Sequence, residues 1–270
     1  MANISGTAKG ETLRGTAKAD EIDGFAGNDT IFGLGGSDFI GGGFGDDTVF
    51  GGNGNDRLRG GGFQDPKLGE AFGEPGDDRL HGEAGRDNLD GSAGDDFLSG
   101  GPDADRLNGN LGNDELEAGK GDDVLYGGNG NDRLKGDSGS DIFVAGYSDT
   151  PDLTNFRPGN DTILDFNPSR DKISLFVDYF DDEGPESRSV TFDELDSNGD
   201  GTINSKDSGV SLTSVPTGPN STNVALSIDV DEAVDPENGQ FSGTPGQGKL
   251  FIVNVLSLSE DNVATGDYFF

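Results

Sequence analysis

Along the first half of this chain an apolar residue keeps returning at every ninth position, two residues behind an acidic one. Cut in nines from Gly6, the sequence reads GTAKGETLR, GTAKADEID, GFAGNDTIF, GLGGSDFIG, GGFGDDTVF and GGNGNDRLR. After a break at residues 60–72 the frame resumes at Gly73 and runs to Val144, which makes fourteen nonapeptides. Position eight is Leu, Ile, Val or Phe in each, from Leu13 to Phe143, and position six is Asp in all but the first, which has Glu11. The break, GGGFQDPKLGEAF, begins like a repeat and exceeds one period, so it reads as one degenerate turn bulging from a stack.

That spacing excludes most folds. One apolar side chain in nine marks a very short strand whose inward residue is covered only when repeats stack, as in a solenoid. Glycines at positions one and four, and often two, permit φ > 0, sharp turns and convergence of backbone carbonyls. An Asp beside those carbonyls completes a nest of oxygens, a donor set that suits Ca²⁺ better than the stricter octahedral Mg²⁺. Composition agrees: 30% of residues are hydrophobic and 48 are glycine, so a conventional core is not expected. A charge of −34 repels nucleic acid and anionic membranes, and with no cysteine there is neither a disulfide framework nor a thiolate metal site. The chain shows no basic and apolar leader pattern, and its longest apolar stretch, LFIVNVL, is short and interrupted by Asn254, so neither a Sec-type signal nor a membrane span is expected.

The nonapeptides resemble the GGxGxDxUx repeat of the RTX (hemolysin-type calcium-binding) family. The resemblance implies an all-β fold, a right-handed parallel β-roll in which successive nonapeptides alternate between two sheets and multiple Ca²⁺ ions sit in the turns. It implies ligation by Asp29, Asp38, Asp47, Asp56, Asp78, Asp87, Asp96, Asp105, Asp114, Asp123, Asp132 and Asp141, with loop carbonyls completing each shell. Lys9 and Lys18 stand where the family has glycine, so the first two repeats are expected to form a poorly metallated cap. In GGPDADRLN, Pro102 and Asp103 replace the usual loop residues. Residues 138–175 resemble the segment that closes the roll of serralysin-type proteases, with Asp161, Asp165 and Asp171 as further oxygen donors.

Three segments are therefore expected: a roll over 1–144, a closing segment over 145–180 and a smaller β-rich domain over 181–270. In the last, NVALSIDVD and KLFIVNVLSL alternate like half-buried strands. DSNGDGTINSKD at 196–207 has the spacing of an EF-hand loop, with Asp196, Asn198, Asp200, the carbonyl of Thr202 and Asp207 as ligands and Ile203 as apolar anchor. The preceding TFDEL reads as a short helix capped by Thr191 with Glu194 at the capping-box position. The terminal GDYFF resembles the uncleaved signal of RTX substrates of type I (ABC) exporters, which implies an extracellular protein from a Gram-negative-type bacterium.

The expected role is thus a secreted, non-enzymatic calcium-binding protein. HExxH and GxSxG motifs are missing from the sequence, and the single histidine, His81, falls at position nine, which reads as solvent-facing. Two other readings stand beside it: a module binding acidic polysaccharide or a surface layer, and a carboxylate-based glycan-active enzyme. Positions seven and nine offer the former only scattered basic residues, namely Arg57, Arg59, Arg79, Arg106, Arg133 and Lys135.

Overall fold

If two nonapeptides complete one coil, each apolar residue must meet its counterpart two repeats later, and the strand register does this: Ile22 faces Ile40, Val49 faces Ile31, and Leu98 faces Leu116. The computed structural model describes residues 1–62, 76–148, 160–167, 169–181, 184–189, 203–204, 210–218, 221–229, 249–253 and 257–258. It is an all-β parallel solenoid of about seven coils, with no helix among the described residues. Strands are numbered in chain order. One sheet takes β1 (Asn3–Ser5), β3 (Glu21–Asp23), β5 (Phe39–Gly41), β7 (Arg57–Arg59), β9 (Asn88–Asp90), β11 (Arg106–Leu111), β13 (Val124–Asn129) and β15 (Ile142–Ser148). The other takes β2 (Thr12–Arg14), β4 (Thr30–Gly35), β6 (Thr48–Asn53), β8 (Arg79–Ala84), β10 (Phe97–Pro102), β12 (Glu115–Lys120), β14 (Arg133–Ser138) and β16 (Asn160–Ile163). Alternation between two sheets is therefore a property of the fold, and the turns of positions one to six line its two long edges.

Strand periodicity puts position eight inward and positions seven and nine outward. All thirteen position-eight residues from Ile22 to Phe143 are fully buried, whereas Leu13 in the first repeat is half-buried because only one coil covers it. At the other end Phe166 packs on Phe143 with ring centroids 6.0 Å apart and is itself buried.

The break is absorbed differently from the sequence expectation of an extra degenerate turn. β6 pairs directly with β8 and β7 with β9, so no coil intervenes. The N–H of Gly43 donates to the carbonyl of Gly60, and Gly60 in turn bonds to Asp90, so Gly60 to Gly62 stand at positions one to three of the seventh repeat. The repeat is completed by Gly76, Asp77 and Asp78. Residues 63–75 lie outside the described residues.

Beyond the repeats both sheets continue. β17 (Lys172–Asp181) adds to β15 in parallel, followed by antiparallel β18 (Gly184–Ser189). β16 pairs with β22 (Lys249–Val253), and β21 (Ser221–Asp229) and β20 (Val210–Gly218) follow antiparallel. β19 (Ile203–Asn204) pairs with β23 (Ser257–Leu258). The strand expected at 223–231 is found two residues earlier as β21, and the one expected at 249–258 as the separate β22 and β23. The EF-hand ligands Asp196, Asn198, Asp200, Thr202 and Asp207, the helix expected over TFDEL and the terminal GDYFF lie outside the described residues.

His81 lies on the outward side of its strand, as its repeat position suggested, but is half-buried there by its neighbours. Position nine of alternate repeats builds an outward column on one sheet, with Phe32 stacked on Phe50 at 5.0 Å, Phe50 on His81 at 4.9 Å and the Arg14 guanidinium over Phe32 at 4.3 Å. Phe97 flanks His81 at 5.7 Å, and the half-buried imidazole has its pKa lowered chiefly by burial. The rings present their faces to one another, so the column ties coils together. A sharper test of the solenoid core is Leu107→Ala, which should destabilise the calcium-loaded protein by about 2–5 kcal/mol in denaturant unfolding. Arg106→Ala, on the outward side of the same strand, should shift it by less than about 0.5 kcal/mol.

Candidate metal centre

The acidic residue at position six is the one polar side chain that every coil buries. Asp29, Asp38, Asp47, Asp56, Asp78, Asp87, Asp96, Asp105, Asp114, Asp123, Asp132 and Asp141 are each no more than 3% exposed. One oxygen of each carboxylate is spoken for. Asp47 Oδ1 accepts the backbone N–H of Asp29 at 2.7 Å, Asp78 Oδ1 that of Asp47 at 2.6 Å, and Asp96 Oδ1 that of Asp78 at 2.8 Å. The same bond repeats up the opposite edge through Asp20, Asp38, Asp56, Asp87, Asp105, Asp123 and Asp141. Two continuous ladders of carboxylates result, one along each edge of the roll.

The second oxygen has a different fate. Oδ2 of Asp29, Asp38, Asp56, Asp78, Asp87, Asp96, Asp105, Asp114, Asp123 and Asp141 is buried and has no hydrogen-bond partner. It points at the bare Cα of the glycine at position one: a methyl on Gly51 would lie 2.6 Å from Asp56 Oδ2 and 2.9 Å from the carbonyl oxygen of Gly82. On Gly82 the corresponding distances are 2.5 Å to Asp87 Oδ2 and 2.8 Å to Gly100 O. Glycine therefore predominates at position one, where two oxygens from adjacent coils converge, with the small Ala118 as the one substitute among the repeats. Left-handed backbone occurs instead at positions two and four. Gly43, Gly52, Gly101, Gly119 and Gly128 have φ > 0 at position two, and so do Phe25, Leu34, Glu83, Ser92, Asn110 and Asp137. Asp103 takes φ 83° in place of a position-four glycine, so the Pro102–Asp103 departure leaves Asp105 on its ladder.

A hard divalent cation fits this donor set. The buried oxygens are anionic or carbonyl, soft or nitrogen donors are lacking, and a buried charged oxygen without a partner is costly. Among the described residues no three His, Cys, Asp or Glu side chains gather at one point, so any shell draws on backbone oxygens. The twelve repeat aspartates are the residues that would hold Ca²⁺. When bound, the ion supplies the positive charge that the unpartnered oxygens lack.

The three further donors expected from the closing segment fall in different places. Asp161 and Asp171 form the last rungs of the two ladders, accepting the N–H groups of Asp132 at 3.1 Å and Asp141 at 3.3 Å. Asp165 stands off the ladders and accepts the N–H groups of Gly136 at 3.0 Å and Asp137 at 2.7 Å. The first two repeats also differ. Asp20 Oδ2 accepts the N–H of Thr16 at 2.6 Å and its hydroxyl at 2.7 Å, and Glu11 accepts the N–H of Thr7 at 2.8 Å. Threonine at position two was the sequence signal for that difference, beside the lysines at position four.

Comparison with known proteins follows the repeats. A family model for the RTX calcium-binding nonapeptide repeat (4 copies) matches residues 5–40, 35–65, 72–107 and 108–143. No curated protein matches the chain. Eleven chains of solved structures match, among them an extracellular lipase, LipA, from Serratia marcescens, 16% identical. That match covers 98% of this chain and 40% of the lipase with a TM-score of 0.35, so the chain spans well under half of its length.

Electrostatically the ladders are under tension. Burial is the first cause that pushes Asp96 up to about 9, Asp105 and Asp114 to about 8, and Asp56, Asp78 and Asp141 to about 7. Asp87, Asp123 and Asp132 rise to about 6, and Asp161, buried against Asp132, lies well above the ordinary carboxylate value. Backbone N–H donors from the preceding coil oppose the shift. Asp20 goes the other way, held low by the Ala2 N–H and the Thr16 hydroxyl. A carboxyl whose folded pKa is raised keeps a proton that the unfolded chain has already lost, so metal-free folding is favoured by acid and opposed as pH climbs from about 4 towards about 9. In chelator the β-sheet signal in circular dichroism should therefore be stronger near pH 5 than near pH 8. Calcium added near pH 8 should restore it with little proton release, because the unfolded carboxyls are already ionised, whereas calcium added near pH 5 should displace protons from the folded ladders, measurable as a dependence of the binding heat on buffer ionisation enthalpy.

Proposed function

Because its repeat region belongs to the RTX calcium-binding nonapeptide repeat family, we propose that this chain is an extracellular, non-enzymatic protein whose β-roll folds when Ca²⁺ enters its turns. The observation that carries the proposal is the row of buried carboxylate oxygens without hydrogen-bond partners on both edges of the roll. A protein that buried these groups permanently without a cation would carry their full desolvation penalty. With a cation, the same groups become the strongest contacts between coils.

The charge of −34 then acts as a compartment sensor. Where free calcium is scarce, like charges repel and one apolar residue in nine cannot offset chain entropy. The chain stays extended enough to be threaded through an exporter, and a type I (ABC) exporter is the proposed route. Where calcium is plentiful, each site at tenfold above its dissociation constant adds about 1.4 kcal/mol, and several sites together match the stability of an ordinary domain. Among the described residues no helix is long and apolar enough to cross a membrane.

Circular dichroism of the whole chain, titrated from chelator to about 10 mM Ca²⁺ near neutral pH, tests the proposal against the affinity range of extracellular calcium modules. A cooperative gain of β-structure with Ca²⁺ and none with Mg²⁺ is expected. Full β-structure in chelator at that pH would overturn the folding switch. Asp114→Asn separates the two roles of the carboxylate: in chelator the variant should be as stable as the parent or more so, because a buried like charge is gone. In saturating calcium it should be less stable by about 1–3 kcal/mol, read from thermal unfolding.

A further inference from the structure

The turns of the roll come in two kinds, and the difference lies at position two. In the eleven uninterrupted turns from Gly24 to Asp141 the residue at position two is left-handed, whether glycine or not. Its N–H then points away from the aspartate four residues on, and the second carboxylate oxygen is left to face the position-one glycine and the next coil's carbonyl. In three further uninterrupted turns position two is outside the left-handed region: Thr7, Thr16 and Asn167. There the N–H donates straight onto the acidic side chain four residues later, at 2.8 Å to Glu11, 2.6 Å to Asp20 and 2.7 Å to Asp171.

The residue types explain the split. A β-branched threonine crowds its own backbone at φ > 0, and a residue that precedes proline, as Asn167 precedes Pro168, is pushed towards extended backbone. Strain runs the other way at Phe25 and Leu34, bulky residues held at φ 70° and 80° although both side chains are about half exposed. Neither gains burial from that conformation, so its purpose lies in the backbone. The interrupted seventh repeat reaches the open state by another route: Gly61 is not left-handed, but its N–H goes to Ser92 Oγ instead of to Asp78, whose Oδ2 remains without a partner.

We infer that the backbone N–H at position two decides which turns take an ion: turned away, as at every left-handed residue and at Gly61, it leaves the carboxylate oxygen to Ca²⁺, and donated to the carboxylate it closes the turn. Glu11 and Asp20 at the start of the roll and Asp171 at its end are thus metal-free rungs. The ladder is closed by protein donors at its beginning on both edges, and at its end on the edge that carries Asp171. This inference rests on the calcium reading given above, and removes Asp171 from the ligands that the family resemblance implied.

Counting bound calcium by equilibrium dialysis of the full chain tests it. Leu34→Thr should close the Asp38 turn and bind at least one ion fewer than the parent, whereas Leu34→Asn, which tolerates left-handed backbone, should bind the same number. An unchanged count in Leu34→Thr overturns the inference. Should Leu34→Thr fail to fold in calcium, the double variant Thr16→Gly/Lys18→Gly, which frees Asp20, decides: at least one additional ion supports the inference, and no gain overturns it. A parent chain that binds no calcium would bring down the calcium reading itself, and the inference with it. A parent that binds calcium with an unchanged Leu34→Thr count brings down the inference alone.

Discussion

Most repeats bury a carboxylate and satisfy only half of it. One oxygen takes the N–H of the coil before, which fixes the vertical register of the stack. The other faces a glycine and a carbonyl and finds no donor. Hydrogen bonding and electrostatics thereby pull in opposite directions on one side chain. The first holds neighbouring coils in place; the second makes the stack costly until a cation arrives.

The rest of the architecture follows from accommodating that side chain. Position one, Ala118 apart, lacks a Cβ so that two oxygens can meet, and in the uninterrupted turns from Gly24 onward positions two and four turn left-handed so that no N–H fills the gap. Apolar burial is confined to a single column between the sheets, too thin to hold the chain together by itself. Secondary contacts stiffen the stack from outside. The Arg14, Phe32, Phe50 and His81 column does so on one sheet. On one edge a ladder at position five does the same, where Asn113 and Asn131 pass N–H bonds to Asp95 and Asn113. Neither reaches the buried carboxylates.

The ends of the roll need another solution, because a terminal rung has a neighbour on one side only. At the start, Thr7 and Thr16 supply from the same turn the donors that a cation supplies elsewhere. At the finish Phe166 covers the last core ring, and Asn167 closes Asp171. The break at residues 60–72 is tolerated for a related reason. Gly62 and Gly76 flank residues 63–75 at positions three and four of one turn, and the rungs on either side still pair across it.

The nine-residue frame by itself determined the repeat count, the inward column from Ile22 to Phe143 and the twelve buried aspartates. Each depends on a side chain's place in a strictly periodic chain, and periodicity is visible without coordinates. Which oxygen of an aspartate is satisfied depends on backbone angles and on a neighbour 18 residues away. Only the tertiary structure could show that Thr16 closes its turn while Leu34 leaves its own open. The same holds for His81, read as solvent-facing from its place in one repeat. Its ring stacks on Phe50, a partner that becomes a neighbour only when the coils close over the insertion between them. Sequence fixes what repeats; the stacking of one coil on the next decides which atoms each repeat leaves unpaired.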